Sequence, residues 1–147
     1  MSLFSALDIN ASGLTAQRRR IEVISSNLAN ANTTRTAEGT PYKRKDLVFE
    51  SAPVSDGFGA ALTNEMVNGG GEAGVEIAGI YEDGTQFIRR YEPSHPDADG
   101  EGYVLYPNVS PIEEMVNLLS ATRSFEANVQ SMNAIKELAR KSLEIGK

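Results

Sequence analysis

Cysteine is absent from the 147-residue chain, and histidine occurs once. Without cysteine there are no disulfides, thiol nucleophiles or thiolate zinc sites, and the redox compartment stays undetermined. No apolar run approaches the roughly 18 residues that a membrane-spanning helix needs. Positive charge is scarce too: 14 Lys and Arg face 20 Asp and Glu, a formal net charge of -6. Such a chain is a poor match for a phosphate backbone, whose binders rely on Lys and Arg. Neither nucleic acid nor direct membrane insertion is therefore expected. The start, MSLFSALDINASGLTAQRRR, has its basic cluster after the apolar part and no long hydrophobic region, unlike a secretory signal. The expectation is a cytosolic chain, or one exported by a route that removes nothing. The 40% hydrophobic and 23% charged content is that of one soluble domain.

The apolar residues that are present fall on a heptad grid at both ends. Leu7, Leu14, Ile21 and Leu28 make one line, and Leu3, Ile24 and Ala31 lie on the interleaved one. This is the a/d seam of helices that pack along their length. Asn10 and Gln17 weaken the interleaved line, and Gly13 lowers helix propensity by ~1 kcal/mol against Ala. A break is expected between Asn10 and Gly13. Arg18, Arg19 and Arg20 form a solvated face, or else Arg18 and Arg20 pair with carboxylates of a neighbouring helix. The seam closes on SSNLANANTTRT, Ser25 to Thr36, a strip of amides and small side chains where a sharp stop would be usual. Ser26, Asn30 and Thr33 share a helical face, with Asn27 beside Asn30, and Ala29 and Ala31 admit a neighbouring backbone. We read the strip as close packing with polar specificity. A wrong register would leave buried amides unsatisfied at ~1 to 3 kcal/mol each. Asn30 or Asn32 is placed to take the left-handed cap that ends the helix.

At the other end, Ser110-Pro111-Ile112-Glu113 is a capping box with proline at the first helical position. Leu118, Ala121, Phe125, Met132, Ile135 and Ala139 then repeat the heptad stripe, widened by Met115, Leu119, Val129 and Leu143. This helix is expected to run to a cap at Gly146, about 50 Å at 1.5 Å per residue. One apolar stripe does not make either helix self-sufficient. Each needs the other terminal helix, another molecule, or both.

Residues 37–107 lose the helical period. Tyr42 to Val54 and Val75 to Tyr91 read as strands, the second folded into a hairpin at Asp83-Gly84. Asn68-Gly69-Gly70-Gly71 reads as a flexible connection, without the spacing or the Lys of a phosphate loop. The predicted fold class is α+β: two long terminal α-helices packing in coiled-coil fashion and flanking a small β-rich middle domain. The predicted divisions are an N-terminal helical assembly segment, 1–36, a β-rich insert, 37–107, and a C-terminal long helix, 108–147.

Little in the chain points to catalysis. Ser94, His95 and Asp97 sit side by side in a proline-bounded run, whereas a triad converges from separated positions; His95 reads as a turn residue held by local hydrogen bonds. Counting from Asp97, the stretch to Asn108 matches a calcium loop at Asp99, Glu101 and Gly102. It has Asn108 where the bidentate glutamate belongs, and Pro96 and Pro107 forbid the flanking helices. No pair of carboxylates is singled out for acid–base work. No catalytic, cofactor-binding or metal residue is assigned, no cofactor is expected, and the chain reads as a non-enzyme.

Two motifs at opposite ends do carry a resemblance. Asn27-Leu28-Ala29-Asn30-Ala31-Asn32-Thr33 resembles the NLANxxT signature of the rod and hook proteins of the bacterial flagellum. Glu114-Met115, followed by Arg123-Ser124-Phe125-Glu126-Ala127-Asn128, resembles their C-terminal EM…RxYExN motif, with Phe125 in place of the usual tyrosine. The insertion from Thr34 to Pro41 before Tyr42-Lys43-Arg44, and the stretch YEPSHPDADGEGYVLYPNV, are similar to the family's proximal rod members. Residues 51 to 90 carry no such signature. The resemblance implies a structural subunit of the basal-body rod that spans the periplasm and transmits torque as a drive shaft. It implies assembly with copies of itself and with other proximal and distal rod proteins, and passage through the flagellar type III export apparatus with no cleaved signal peptide. The expected assembly interface is Leu7, Leu14, Ile21, Ile24, Asn27, Leu28, Asn30 and Thr33 at one end and Met115, Leu118, Phe125, Asn128, Met132 and Ile135 at the other. The alternatives are another type III-exported helical-assembly component, or a small calcium-binding module.

Overall fold

The computed structural model describes residues 3–53 and 73–145. Its elements run α1 (Leu3–Ala29), β1 (Lys45–Pro53), β2 (Ala73–Glu82), β3 (Ile88–Tyr91), β4 (Tyr103–Tyr106) and α2 (Pro111–Ile145). The α+β class and the two long flanking helices are as predicted. The Asn68–Gly71 connection and the Gly146 cap lie outside the described residues.

α1 passes unbroken through Asn10 to Gly13, where a break was predicted. Polar side chains there bond backwards within the helix: Asn10 Nδ2 donates to the Ala6 carbonyl at 2.9 Å, and Ser12 Oγ to the Ile9 carbonyl at 2.8 Å. These bonds leave the backbone ladder in place. Gly13 has a packing role that offsets its propensity cost. A methyl group on it would come within 3.2 Å of Asn128 Nδ2, so the missing side chain is what lets α2 come close.

α1 has no basic residue in its last turn, so charge does not help its end. An amide does: Asn30 Nδ2 donates to the Ser26 carbonyl at 2.9 Å, and Thr33 N then closes a turn on the Asn30 carbonyl at 3.0 Å. α2 starts as its sequence predicts. Glu114 N bonds the Ser110 carbonyl at 3.0 Å, Ser110 Oγ accepts from Glu113 N at a long 3.4 Å, and Glu113 and Glu114 sit against the positive end of the helix.

The strands pair differently from the prediction. Val75 to Tyr91 does not fold on itself. β2 pairs with β1, and β3 with β4, giving two two-stranded sheets among the described residues. Asp83-Gly84 makes a local turn, with Asp83 Oδ1 accepting from Thr85 N at 2.9 Å, but Asp83 N donates to the Arg44 carbonyl at 2.8 Å and so ties β2 to the start of β1. β3 and β4 are antiparallel, with Ile88 opposite Tyr106 and Tyr91 opposite Tyr103. A ribbon of two strands is marginal alone, and this one is stiffened by its side chains. Tyr91 and Tyr103 meet edge to face at 5.2 Å, and the Arg89 guanidinium lies 3.9 Å from the Tyr103 ring centre.

The described residues divide into two compact units, and both helices contribute to each. One unit holds α1 up to Arg19, β1 from Val48, β2 up to Gly79 and α2 from Ala121. There Asn10, Gln17 and Asn128, polar interruptions of the two seams, and Gly13 beside them line a cavity of about 340 Å³ with Phe49 and Val75. The other unit holds Arg20–Leu47 and Ile80–Ser120. Its core is small: Ala31, Tyr42 and Val109 pack together, and Val104 is fully enclosed.

One prediction follows from the close approach at Gly13. On an Asn128→Ala background, Gly13→Ala should raise stability by ~1 kcal/mol through helix propensity. With Asn128 present that gain should vanish or reverse. A double-mutant cycle in urea unfolding measures the coupling.

Candidate assembly site

Among the described residues, the strip that closes α1 carries one of the two buried polar side chains, Asn27 and Glu114. Asn27 is 1% exposed. Its Oδ1 accepts from Tyr42 Oη at 2.9 Å and from Lys45 N at 2.9 Å. Its Nδ2 donates to the Lys45 carbonyl at 2.7 Å and to Glu114 Oε2 at 3.2 Å. Two donors and two acceptor sites are all that a side-chain amide offers, so Asn27 is fully satisfied. It also gives the Lys45 backbone what a neighbouring strand would give, which moors the first residue of β1 to the end of α1.

Glu114, in the first turn of α2, is also 1% exposed. Its second oxygen, Oε1, accepts from Arg44 Nε at 2.8 Å. A buried carboxylate carries a penalty of several kcal/mol unless it is paired and hydrogen-bonded, and both conditions are met here. Burial acts to lower the Arg44 pKa, but the hydrogen bond and charge of Glu114, with Asp46, outweigh it and raise the guanidinium above its ordinary value. Three stretches far apart in the chain thus converge on one carboxylate: the end of α1, the run from Tyr42 into β1, and the start of α2.

The residues expected to form the interface take different places. Ile24 and Asn27 are buried within the chain. Leu7, Leu14, Ile21, Leu28, Asn30, Thr33, Leu118, Phe125, Asn128, Met132 and Ile135 are half-buried, so the heptad lines face inward as helices packed in coiled-coil fashion require. Met115 alone of the set is exposed. The amide strip does bond across a helix contact, but Asn27 does so to the chain's own second helix. Sequence reasoning missed Arg44 and the burial of Glu114. A signal existed: Glu114 lies one heptad before Ala121, so the apolar line of α2 begins on a carboxylate, which is sensible only if a cation meets it.

Met115 and Leu119, read from the sequence as widening the heptad stripe, are exposed and belong instead to a second, outward stripe, and Leu143 is exposed as well. Ile112, Met115, Val116 and Leu119, at i, i+3, i+4 and i+7, are all well exposed, with Ile112 at 71% and Val116 at 63%. The start of α2 is therefore apolar on two faces, one inward and one outward.

The acids of the turn from Asp97 to Asn108 are held by partners within the turn and by Thr34 and Arg89 outside it. Asp97 Oδ2 accepts from Thr34 Oγ1 at 2.7 Å. Asp99 Oδ1 accepts from Tyr103 N at 2.8 Å and Glu101 N at 2.9 Å, which with Arg89 hold its carboxyl below the usual carboxylate range. Glu101 Oε2 pairs with Arg89 at 2.8 Å. His95 Nδ1 accepts from Asp97 N at 3.1 Å, the local turn bond predicted for it. Among the described residues no cluster of His, Asp and Glu is arranged to hold a metal ion.

Comparison with known proteins gives a consistent result. Residues 7–35 match the family described as "Flagella basal body rod protein", and residues 101–145 match "Flagellar basal body rod FlgEFG protein C-terminal". Over full length the chain is 49% identical to the flagellar basal-body rod protein FlgC of Bacillus subtilis, covering 100% of both sequences. It is 43% identical to FlgC of Borreliella burgdorferi, with 99% of this chain and 98% of the relative covered. It is 38% identical to FlgC of Salmonella typhimurium, with 99% of each covered.

Two outcomes are expected. Asn27→Asp keeps both acceptor contacts but turns an anionic oxygen toward the Lys45 carbonyl and Glu114, so urea unfolding should register a loss of about 3 to 5 kcal/mol. Calorimetric titration with calcium in the micromolar range should give no binding heat, because Asp97, Asp99 and Glu101 already have protein partners.

Proposed function

The chain belongs to the flagellar basal-body rod protein family, and from that premise we infer that it is a structural subunit of the rod whose outward apolar stripe on α2 is an assembly surface. The observation that carries this reading is the stripe of Ile112, Met115, Val116 and Leu119. A helix that is apolar on both faces is ordinarily enclosed on both. In the single chain only the Glu114, Leu118 and Ala121 side is covered.

Leu7, Leu14, Ile21, Ile24, Asn27 and Leu28, with Leu118, Phe125, Asn128, Met132 and Ile135, serve the assembly from within by shaping the helix pair. Met115 is the member with surface to offer, and the half-buried Asn30 and Thr33 close the end of α1. The helical segments 1–36 and 108–147 build the shaft, and the insert 37–107 lies outside them and contacts neighbours. Its neighbours are copies of itself and other rod proteins, its route is the flagellar type III export apparatus, and its place is the proximal rod. The work is mechanical: repeated helix packing gives a stiff shaft that carries torque, and no chemistry is catalysed.

Mass spectrometry of salt-washed basal bodies from the source cell should find the chain in fixed ratio to other rod proteins. Its presence only as a soluble monomer would overturn the reading. The double substitution Met115→Asp with Leu119→Asp, at exposed positions, should leave the circular dichroism of the chain unchanged while lowering its incorporation by about tenfold or more.

A further inference from the structure

We propose that Asn27, Arg44 and Glu114 form a register clasp: a buried polar device that lets the end of α1, the start of β1 and the start of α2 meet in one arrangement only, the one the rod accepts. The proposal rests on the rod reading for its purpose, but its chemistry stands on the single chain.

Apolar seams are permissive about register. A heptad stripe slid by one repeat still buries leucine and isoleucine against apolar neighbours, so Leu7 to Leu28 and Leu118 to Ala139 do not by themselves select one alignment. A buried polar group does select, because every slipped alignment leaves it unsatisfied. Here the match is tight. Glu114 accepts on both oxygens, from Arg44 Nε at 2.8 Å and from Asn27 Nδ2 at 3.2 Å. Asn27 in turn holds both the carbonyl and the N–H of Lys45, at 2.7 and 2.9 Å. Any slip of α1 against α2 parts Asn27 from Glu114. Any slip of β1 parts Lys45 from Asn27 and Arg44 from Glu114.

The pattern of donors and acceptors supplies a sharp test. An amide at position 114 has one acceptor and one donor, while two donors face it. Glu114→Gln must therefore set a donor against Arg44 or against Asn27, although its shape is kept. The second substitution Arg44→Gln removes the conflict. A glutamine oxygen sits as many bonds from Cα as the Arg44 Nε, so Gln at 44 can accept from Gln at 114, whose own oxygen then accepts from Asn27. A residue that only fills space would show no such rescue.

The experiment compares the wild-type full chain, Glu114→Gln and the double variant Arg44→Gln/Glu114→Gln, by thermal unfolding of purified protein and by incorporation into basal bodies. The single variant should unfold about 5 to 10 °C lower and incorporate about tenfold less, with the double variant recovering most of both. The clasp is overturned if the single variant unfolds like the wild type, or if the double variant is no better than the single. Its service to assembly is overturned if unfolding follows the expected order but incorporation does not. Absence of the wild-type chain from basal bodies would defeat the rod reading alone, and the unfolding order would still decide the clasp.

Discussion

A carboxylate taken out of water must be met on both oxygens, and that requirement at Glu114 organises the part of the chain where three segments join. Arg44 supplies the countercharge and Asn27 the second hydrogen bond. Asn27 then has one face left, and it uses that face to hold the backbone of Lys45 as a strand partner would. The hydroxyl of Tyr42 completes the set, and its ring packs with Ala31 and Val109 in the small apolar core beside it. The polar network and the core are thus adjacent and share residues. Such networks contribute less to stability than to uniqueness, because well-packed apolar replacements are often neutral while a single missing partner is not.

The same division of labour recurs along the helices. Leucine, isoleucine and phenylalanine supply burial without much preference for alignment. Polar residues break the seams at Asn10, Gln17 and Asn128, where they gather with Gly13 around one cavity. Gly13 shows why residues of this kind belong to the packing: its missing side chain is the room into which Asn128 fits. The outward stripe of Ile112, Met115, Val116 and Leu119 is the complementary case, burial that one chain cannot complete.

The described part of the β-rich middle adds little apolar core of its own. Among the described residues each sheet has two strands, so lateral hydrogen bonds are few and side chains do the stiffening. Arg89 illustrates the economy of the ribbon: it stacks on Tyr103 and binds Asp99 and Glu101 at once, closing the acidic turn that resembles a calcium loop.

The sequence by itself determined the helices at both ends, the start of α2 after Ser110, the inward heptad lines and the family, because period, helix starts and motifs are local properties. It did not determine that α1 stays whole at Gly13, since the compensation for that glycine comes from Asn128 on the other helix. Nor did it determine strand pairing: Asp83-Gly84 is a sound hairpin turn locally, yet β2 pairs with β1. Tertiary structure alone decided that Asn27 faces Glu114 and that Arg44 answers its charge. Those contacts join residues far apart in the chain, and no local pattern of the chain encodes which distant donor will reach a given acceptor.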